Sequence, residues 1–313
     1  MPWTTGDKVM VYRQRYAVVD VVVETLDGWR KHLSGRNASV LAFWTFLSIF
    51  PLMLAATTIL GFVLEGNEEL QQRIIDGALN DIPVLGQQLA DDPASLDGNI
   101  WALLIGVGAA LWSASKAFVG LQGALDDTWE VAVDHRAPMP VQRGRALVGM
   151  LIIGLAHLTS IATASTVRAL DLPAGADTML LLVGLAIHML AIAAMYRYLT
   201  SADPTWRDVW PGAIGAGIAY SVLQHFGVAL VDRIQNIASD TYGNFAIVLG
   251  LVTWLSLLAI STLMNAELNT AIVRHREGSL DRVVPPDKRS ALQTVAQADG
   301  PDDQPAAATS TTT

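Results

Sequence analysis

The chain has no cysteine among its 313 residues. A disulfide framework and any zinc or iron–sulfur site held by cysteine are therefore excluded, and the redox compartment cannot be deduced from the sequence. Charged residues are also scarce, at 16%, whereas about a quarter of a soluble globular domain is charged. Because 52% of the residues are hydrophobic and the mean hydropathy is +0.38, this shortage of charge indicates a protein that lies in lipid.

Six segments are each long and apolar enough to cross a bilayer, whose core of about 30 Å needs about 20 helical residues. They comprise residues 38–64, 100–121, 146–167, 178–199, 212–231 and 244–273. The sequence therefore predicts an all-α integral membrane protein with six transmembrane helices. The first and last segments exceed the minimum length, so we expect them to tilt or to extend beyond the hydrocarbon.

Positive charge is distributed unevenly between the loops. Most Lys and Arg residues lie before the first segment, between the second and third, between the fourth and fifth, and after the sixth. The other loops hold only Arg73, Arg168 and Arg233. Since cytoplasmic loops collect positive charge, we expect both termini in the cytoplasm. The first 37 residues are largely polar and lack the pattern of a signal peptide, so the first segment is expected to direct its own insertion.

The regions outside the membrane domain of residues 38–273 differ in character. In the leader, 1–37, apolar residues recur at helical spacing: Tyr16, Val19, Val23, Leu26, Trp29 and Leu33. This pattern predicts an amphipathic helix that lies in the membrane interface, with packing on a cytoplasmic loop as the alternative. The outer loop, 65–99, is acidic apart from Arg73 and is expected to contain a short helix. The tail, 274–313, begins basic and then has the composition of a disordered segment.

Pro51 interrupts one of the most apolar stretches, LAFWTFLSIFPLML. Its ring removes one backbone donor and displaces the carbonyl of Leu47, which must find another partner in lipid. The hydroxyls of Thr45 and Ser48 lie within one turn and are candidates for that role. The sequence leaves open whether Pro51 only bends the helix for packing or forms a hinge or cavity wall.

Ionisable side chains within the predicted membrane segments are the strongest functional candidates, because burying a charge in the bilayer costs about 3 kcal/mol. Lys116 follows Trp112 and Ser113 in the second segment; it either extends to the cytoplasmic interface or faces the bundle interior. Glu267 lies near the cytoplasmic end of the sixth segment. It is expected either to pair with Lys116 or Arg274, or to bind a substrate or ion.

Three stretches resemble the YihY/BrkB family of bacterial inner-membrane proteins, which are sometimes labelled ribonuclease BN-like. They are LAFWTFLSIFPLML, LWSASKAFVGLQGALDDTWEV and YGNFAIVLGLVTWLSLLAISTLMNAELNTAI, within residues 30–275. The resemblance implies a multi-pass inner-membrane protein with six helices and cytoplasmic termini. The third stretch adds four candidate site residues: Tyr242, Gly243, Trp254 and Asn269. Asn265 stands where the family pattern has glycine, which argues against a tight backbone approach there.

Three functions are compatible with these features. The first is transport or lipid handling in envelope maintenance, with Pro51, Ser113, Lys116 and Glu267 around a cavity and no cofactor. The second is an envelope scaffold or assembly factor with a protein partner. The third is a membrane ribonuclease, which is disfavoured because Asp126 and Asp127 are adjacent and side chains of adjacent residues point apart. The partners considered are membrane lipids, a lipid or small-molecule substrate, an envelope protein and a second copy of the chain, and no nucleic acid is expected.

Overall fold

The computed structural model describes residues 7–64, 100–169, 176–243 and 245–278. These residues are almost entirely helical and contain no β-strand, which confirms the predicted all-α class for the described part of the chain. The helix expected in the outer loop 65–99 lies outside the described residues. The same is true of the tail beyond residue 278.

Eight α-helices follow one another along the described chain. Their bounds are α1 (Asp7–Arg15), α2 (Ala17–Lys31), α3 (Ser34–Leu64), α4 (Ile100–Thr128), α5 (Met139–Ala169), α6 (Ala176–Tyr198), α7 (Trp206–Tyr242) and α8 (Phe245–Arg276). A short 3₁₀ turn, Val133–His135, lies between α4 and α5. Helices α3 to α8 contain the six predicted segments almost entirely, and several continue into polar sequence beyond them.

Three of these helices are clearly long and apolar enough to cross a membrane, judged by length and composition within the described residues. These stretches are Ser34–Leu54, Leu104–Thr128 and Phe245–Arg276, and Leu182–Tyr198 is a shorter apolar helix. The outer surface of the bundle is apolar, as expected for a protein surrounded by lipid: Phe43, Leu104, Leu151, Leu182 and Ile218 are all at least half exposed.

Helix α8 occupies the centre of the bundle and packs against α2, α3, α4 and α7. Helices α3 and α4 form an extensive antiparallel pair, and α5, α6 and α7 follow in sequence around the remaining side. Many buried core residues are alanine, including Ala38, Ala124, Ala193, Ala213 and Ala266. Small side chains allow the helix backbones to approach closely, which is the usual basis of helix association in lipid.

Helix α7 approaches α8 very closely near the cytoplasmic end predicted from the charge pattern. A Cβ atom on Gly212 would overlap the backbone carbonyl oxygen of Asn265 and the side chain of Asn269, and one on Gly215 would overlap the side chain of Asn265. The expectation, drawn from Asn265, that the two backbones do not approach closely here was wrong. The glycines that allow the approach lie in α7 rather than in α8. Gly212 and Gly215 therefore serve helix packing within the chain.

Helix α2 packs against α8 through its polar side. Asp20, Thr25 and Gly28 are buried with Val23, whereas Val18 and Val22 are at least half exposed. Of the six apolar residues that predicted an interfacial helix, Tyr16, Leu26 and Leu33 are exposed and Val23 is buried. The outward-facing side is thus apolar, and the position of α2 at a membrane interface stays a prediction.

Pro51 lies within α3, which the structure describes as one helix from Ser34 to Leu64. The Ser48 hydroxyl donates to the carbonyl of Thr45 at 2.7 Å, rather than to that of Leu47. Pro51 is half-buried and Ser48 is bonded within its own helix. The hinge or cavity wall considered for Pro51 therefore remains a hypothesis.

Candidate functional site

Glu267 lies in the last third of α8 with only 1% of its surface exposed. Its Oε1 atom accepts hydrogen bonds from the Ser34 hydroxyl at 2.6 Å and the Thr128 hydroxyl at 3.4 Å. The Nδ1 atom of His32 lies 3.0 Å from Oε1 and 3.1 Å from Oε2. One carboxylate therefore joins the α2–α3 turn, the end of α4, and α8; these four residues are called the Glu267 cluster below.

Local backbone geometry directs two of these partners toward the carboxylate. Helix α2 ends at Lys31, and Leu33 then adopts a left-handed conformation with φ of 54° before α3 begins at Ser34. Such a conformation is unfavourable for a large side chain, so the surrounding contacts must hold it. Gly28 makes the close approach of α2 possible, since a Cβ atom there would overlap Oε2 of Glu267.

An ion-pair network surrounds the Glu267 cluster. Arg13 pairs with Asp20 at 2.7 Å and with Glu24 at 2.9 Å, and both arginine and Asp20 side chains are almost fully buried. His275 lies 2.7 Å from Asp20. Arg274 connects Glu24, at 3.3 Å, with Glu130, at 2.9 Å. These contacts attach α1 and α2 to the end of α8.

Glu130 completes this network beside the Glu267 cluster. Its carboxylate accepts a hydrogen bond from Lys31 at 2.6 Å, and His32 Nε2 lies 3.5 Å away. Partial burial by itself would raise the pKa of Glu130, but the Lys31 hydrogen bond and the charges of Arg274 and Lys31 outweigh it and lower the pKa below its ordinary 4.5. Glu130 is therefore ionised at neutral pH.

The Glu267 carboxylate is bonded to neither of the two partners considered from the sequence, Lys116 and Arg274. Arg274 belongs to the outer ion-pair network, and Lys116 lies over aromatic rings elsewhere. The enclosed carboxylate connects helix ends through its contacts with protein groups, and the binding of a substrate or ion by Glu267 stays a prediction.

A second buried carboxylate, Asp126, organises the loop between α6 and α7. It accepts hydrogen bonds from the Thr200 hydroxyl at 2.9 Å, the Ser201 backbone N–H at 2.6 Å and the Ser201 hydroxyl at 3.3 Å. Its neighbour Asp127 instead pairs with Arg136 at 2.8 Å. The two adjacent carboxylates thus bind separate partners in different loops.

A cavity of about 560 Å³ lies beside this loop, between α5, α6 and the start of α7. Its lining comprises Arg145, Ile152, Ala194, Arg197, Tyr198, Thr200, Ser201, Asp203 and Trp206. The Arg145 guanidinium donates to the Thr200 carbonyl at 3.2 Å, and that of Arg197 lies 5.1 Å from the centre of the Trp206 ring. Asp203 is the single carboxylate in this lining, which is called the arginine cavity below.

Two further candidates, Trp112 and Lys116, meet on the outside of the bundle. The Lys116 ammonium lies 5.1 Å from the centre of the Trp112 ring and 6.0 Å from that of Trp44. Arg143 approaches the same Trp112 ring, with its guanidinium carbon 4.9 Å from the ring centre. Trp112 is 57% exposed, so this group faces the surroundings of the bundle.

The remaining predicted residues lie at separate places. The Ser113 hydroxyl donates to the Ala109 carbonyl of its own helix at 2.8 Å. Asn269 accepts the Gly212 backbone N–H at 2.6 Å, and the Trp254 indole donates to the Leu223 carbonyl at 3.4 Å. Tyr242 ends α7, and its side chain is outside the described part; Gly243 forms the following turn with φ of 54°.

Sequence reasoning missed the partners of Glu267 and the arginine cavity. His32, Ser34 and Thr128 lie at helix ends, where polar residues are common and carry no distinctive spacing. In the sequence, Arg145 and Arg197 are notable only for their contribution to the charge distribution between loops. The sequence carries no distinctive signal for this cavity, since an arginine at the cytoplasmic end of an apolar segment is what the charge distribution predicts.

Comparison with known proteins identifies the family. A model of the family described as Virulence factor BrkB matches residues 25–290. The chain belongs to the BrkB family. The BrkB match includes the Glu267 cluster, the arginine cavity and the Trp112–Lys116 pair, so all three lie in the region that the family shares. It also confirms the resemblance seen in the three sequence stretches.

Two relatives place this BrkB protein in context. It is 23% identical over 230 residues to the inner membrane protein YhjD of Escherichia coli, covering 71% of the chain and 60% of YhjD. It is 21% identical over 271 residues to the putative ribonuclease-like protein YfkH of Bacillus subtilis, covering 81% of the chain and 95% of YfkH. No solved structure matches it. The family match, the inner-membrane relative and the apolar helices confirm the predicted location in the bacterial inner membrane.

Proposed function

We propose that this BrkB protein handles an anionic lipid, which it takes from the cytoplasmic leaflet into the arginine cavity. The proposal is based on the residues that line this cavity. Arg145 and Arg197 face it together with one carboxylate, Asp203, and neither arginine forms an ion pair in the described part of the chain. A volume of about 560 Å³ lies within the range of ligand-binding cavities.

The form of the cavity suits an amphiphile better than a free ion. Ile152 and Ala194 provide an apolar wall, whereas Thr200 and Ser201 supply polar groups near the loop. Tyr198 and Trp206 are each 43% exposed, and such aromatic residues are enriched at membrane interfaces. A lipid phosphate would contact the arginines while its chains lie along the apolar wall.

This proposal requires six crossings with both termini in the cytoplasm. Supporting contacts bring together the helix ends that the charge pattern assigns to that side: Ser34 of α3 contacts Glu267 of α8, and Ala137 before α5 contacts Ser201 after α6. A bundle of antiparallel helices joined in this way has alternate ends on opposite sides.

The absence of cysteine makes the topology directly testable. Single cysteines at Ala94 and at Arg289 would be exposed to a membrane-impermeant maleimide, first in intact spheroplasts and then after permeabilisation. We expect labelling of the Ala94→Cys variant in intact spheroplasts and of the Arg289→Cys variant only after permeabilisation. Equal labelling of both in intact spheroplasts would contradict the six-crossing arrangement.

The lipid role is tested by reconstituting the purified full chain into liposomes with fluorescent phosphatidylglycerol or phosphatidylcholine. Bleaching with dithionite then measures movement between leaflets. We expect the wild type to accelerate movement of phosphatidylglycerol, and the Arg145→Gln/Arg197→Gln variant to reduce that rate at least tenfold, about 1.4 kcal/mol in the barrier.

The matched control is Arg36→Gln, which removes an exposed arginine at the start of α3 outside the arginine cavity. We expect this variant to retain the wild-type rate. Unchanged movement in the double variant would reject the arginine cavity as the lipid site. If the wild type moved neither lipid, a scaffold or assembly role would become the better hypothesis.

A further inference from the structure

Lys116 and Arg143 bring two positive charges to one exposed tryptophan. Each charged group lies about 5 Å from the centre of the Trp112 ring, and Lys116 also lies over Trp44. Neither cation forms an ion pair in the described part of the chain, where the arginine and lysine pairs involve other residues. Like charges repel, so this arrangement needs a compensating interaction.

The neighbouring polar groups do not provide that compensation. Ser113 and Ser115 precede Lys116 on α4, but their hydroxyls donate to the carbonyls of Ala109 and Trp112 in their own helix. At an exposed site a cation–π contact contributes about 0.5–1 kcal/mol, so the two contacts of Lys116 together stay below the roughly 3 kcal/mol cost of an ammonium within a membrane segment. The protein atoms alone therefore leave part of that cost uncompensated.

The position of Lys116 and Arg143 indicates which kind of ligand supplies the remaining stabilisation. Lys116 lies twelve residues before the end of α4, and Arg143 lies in the first turns of α5. The surrounding surface is apolar: Phe43, Leu47 and Leu111 are all exposed beside these helices. An anion with apolar chains can satisfy both the cations and this surface.

We propose that Lys116, Trp112 and Arg143 bind the phosphate of an acidic phospholipid on the outside of the bundle. The phosphate contacts the ammonium and the guanidinium, and the acyl chains lie along the exposed faces of α3 and α4. This lipid is held as a fixed neighbour of the protein, separately from the lipid in the arginine cavity. The inference does not depend on any transport activity.

The experiment uses the full chain carrying Arg145→Gln/Arg197→Gln, so that the arginine cavity does not contribute. Purified protein in detergent is titrated with phosphatidylglycerol, phosphatidylcholine or inorganic phosphate, and bound lipid is counted by native mass spectrometry. We expect one phosphatidylglycerol to bind at least tenfold more tightly than phosphatidylcholine, and inorganic phosphate to give no comparable competition. Adding Lys116→Gln and Arg143→Gln should abolish this preference.

Three further variants distinguish loss of the site from loss of folding. Arg143→Gln alone, in the first turns of α5, is expected to weaken phosphatidylglycerol binding at least threefold even if the larger combination folds poorly. Lys116→Arg should retain the preference, because it keeps the charge, and Arg36→Gln should leave it unchanged. Equal binding of both lipids, an undiminished preference without the two cations, or full competition by free phosphate would each overturn the proposal.

Discussion

Replacing Glu267 with leucine is expected to prevent stable assembly of the helix ends that this residue joins. The change removes the acceptor for Ser34 and leaves His32 facing an apolar side chain inside the protein, whereas the Thr128 hydroxyl keeps its bond to the Ala124 carbonyl at 2.8 Å. A buried polar group left without a partner costs about 1–3 kcal/mol, and the change leaves two such groups, on His32 and Ser34. For a bundle of this size, the expected fall in melting temperature is roughly 5–20 °C.

The measurement is intrinsic tryptophan fluorescence during heating of the purified chain, which contains nine tryptophans. Glu267→Gln should have a smaller effect, since the amide retains one acceptor oxygen and nearly the same volume. Glu277→Leu is the matched control, because Glu277 is exposed just after α8. If Glu267→Leu melted at the same temperature as Glu277→Leu, the Glu267 cluster would not stabilise the fold.

Replacing Gly212 with alanine is expected to destabilise the bundle by more than an ordinary core overpacking of about 1–3 kcal/mol. The new methyl group would overlap the backbone carbonyl oxygen of Asn265 and the side chain of Asn269. A flexible side chain could move aside, but a helix carbonyl moves only with its helix. The substitution also disturbs the hydrogen bond from the Gly212 N–H to Asn269.

A matched comparison is available at Gly154 in α5, because within the described part of the chain no side chain or neighbouring helix lies within 4 Å of the position that a Cβ would occupy. Gly154→Ala should be neutral or stabilising by up to about 1 kcal/mol, since alanine favours the helix. Melting temperatures of the two alanine variants should therefore change in opposite directions. A stable Gly212→Ala protein would show that α7 and α8 lie farther apart than described.

The helices were predictable because their sequence signal is local. Apolar runs such as residues 100–121 and 244–273 are long enough to exclude most other interpretations, and α4 and α8 cover nearly the same residues. The ends of the helices were predicted less accurately than their existence. The charge pattern marked residues 206–211 only as a loop, yet α7 begins at Trp206, because helical hydrogen bonding continues beyond the apolar part.

The contacts between polar side chains of different helices were not predictable, because they depend on how each helix is rotated about its axis. Lys116 and Glu267 are both ionisable residues in predicted membrane segments, yet one lies on an exposed tryptophan and the other inside the bundle. The apolar spacing of α2 suggested that its apolar side faces the protein or the membrane. The opposite side is the one that packs on α8, since the Asp20 and Gly28 positions meet groups contributed by distant sequence.

The sequence by itself determined an all-α inner-membrane protein of the BrkB family, because hydrophobic length and recognisable motifs are properties of single segments. Only the tertiary structure decided that Glu267 joins His32 and Ser34, that Gly212 admits the α8 backbone, and that Arg145 shares a cavity with Arg197. These pairings connect residues up to 235 positions apart. Their formation depends on helix crossing and rotation, which no single segment encodes.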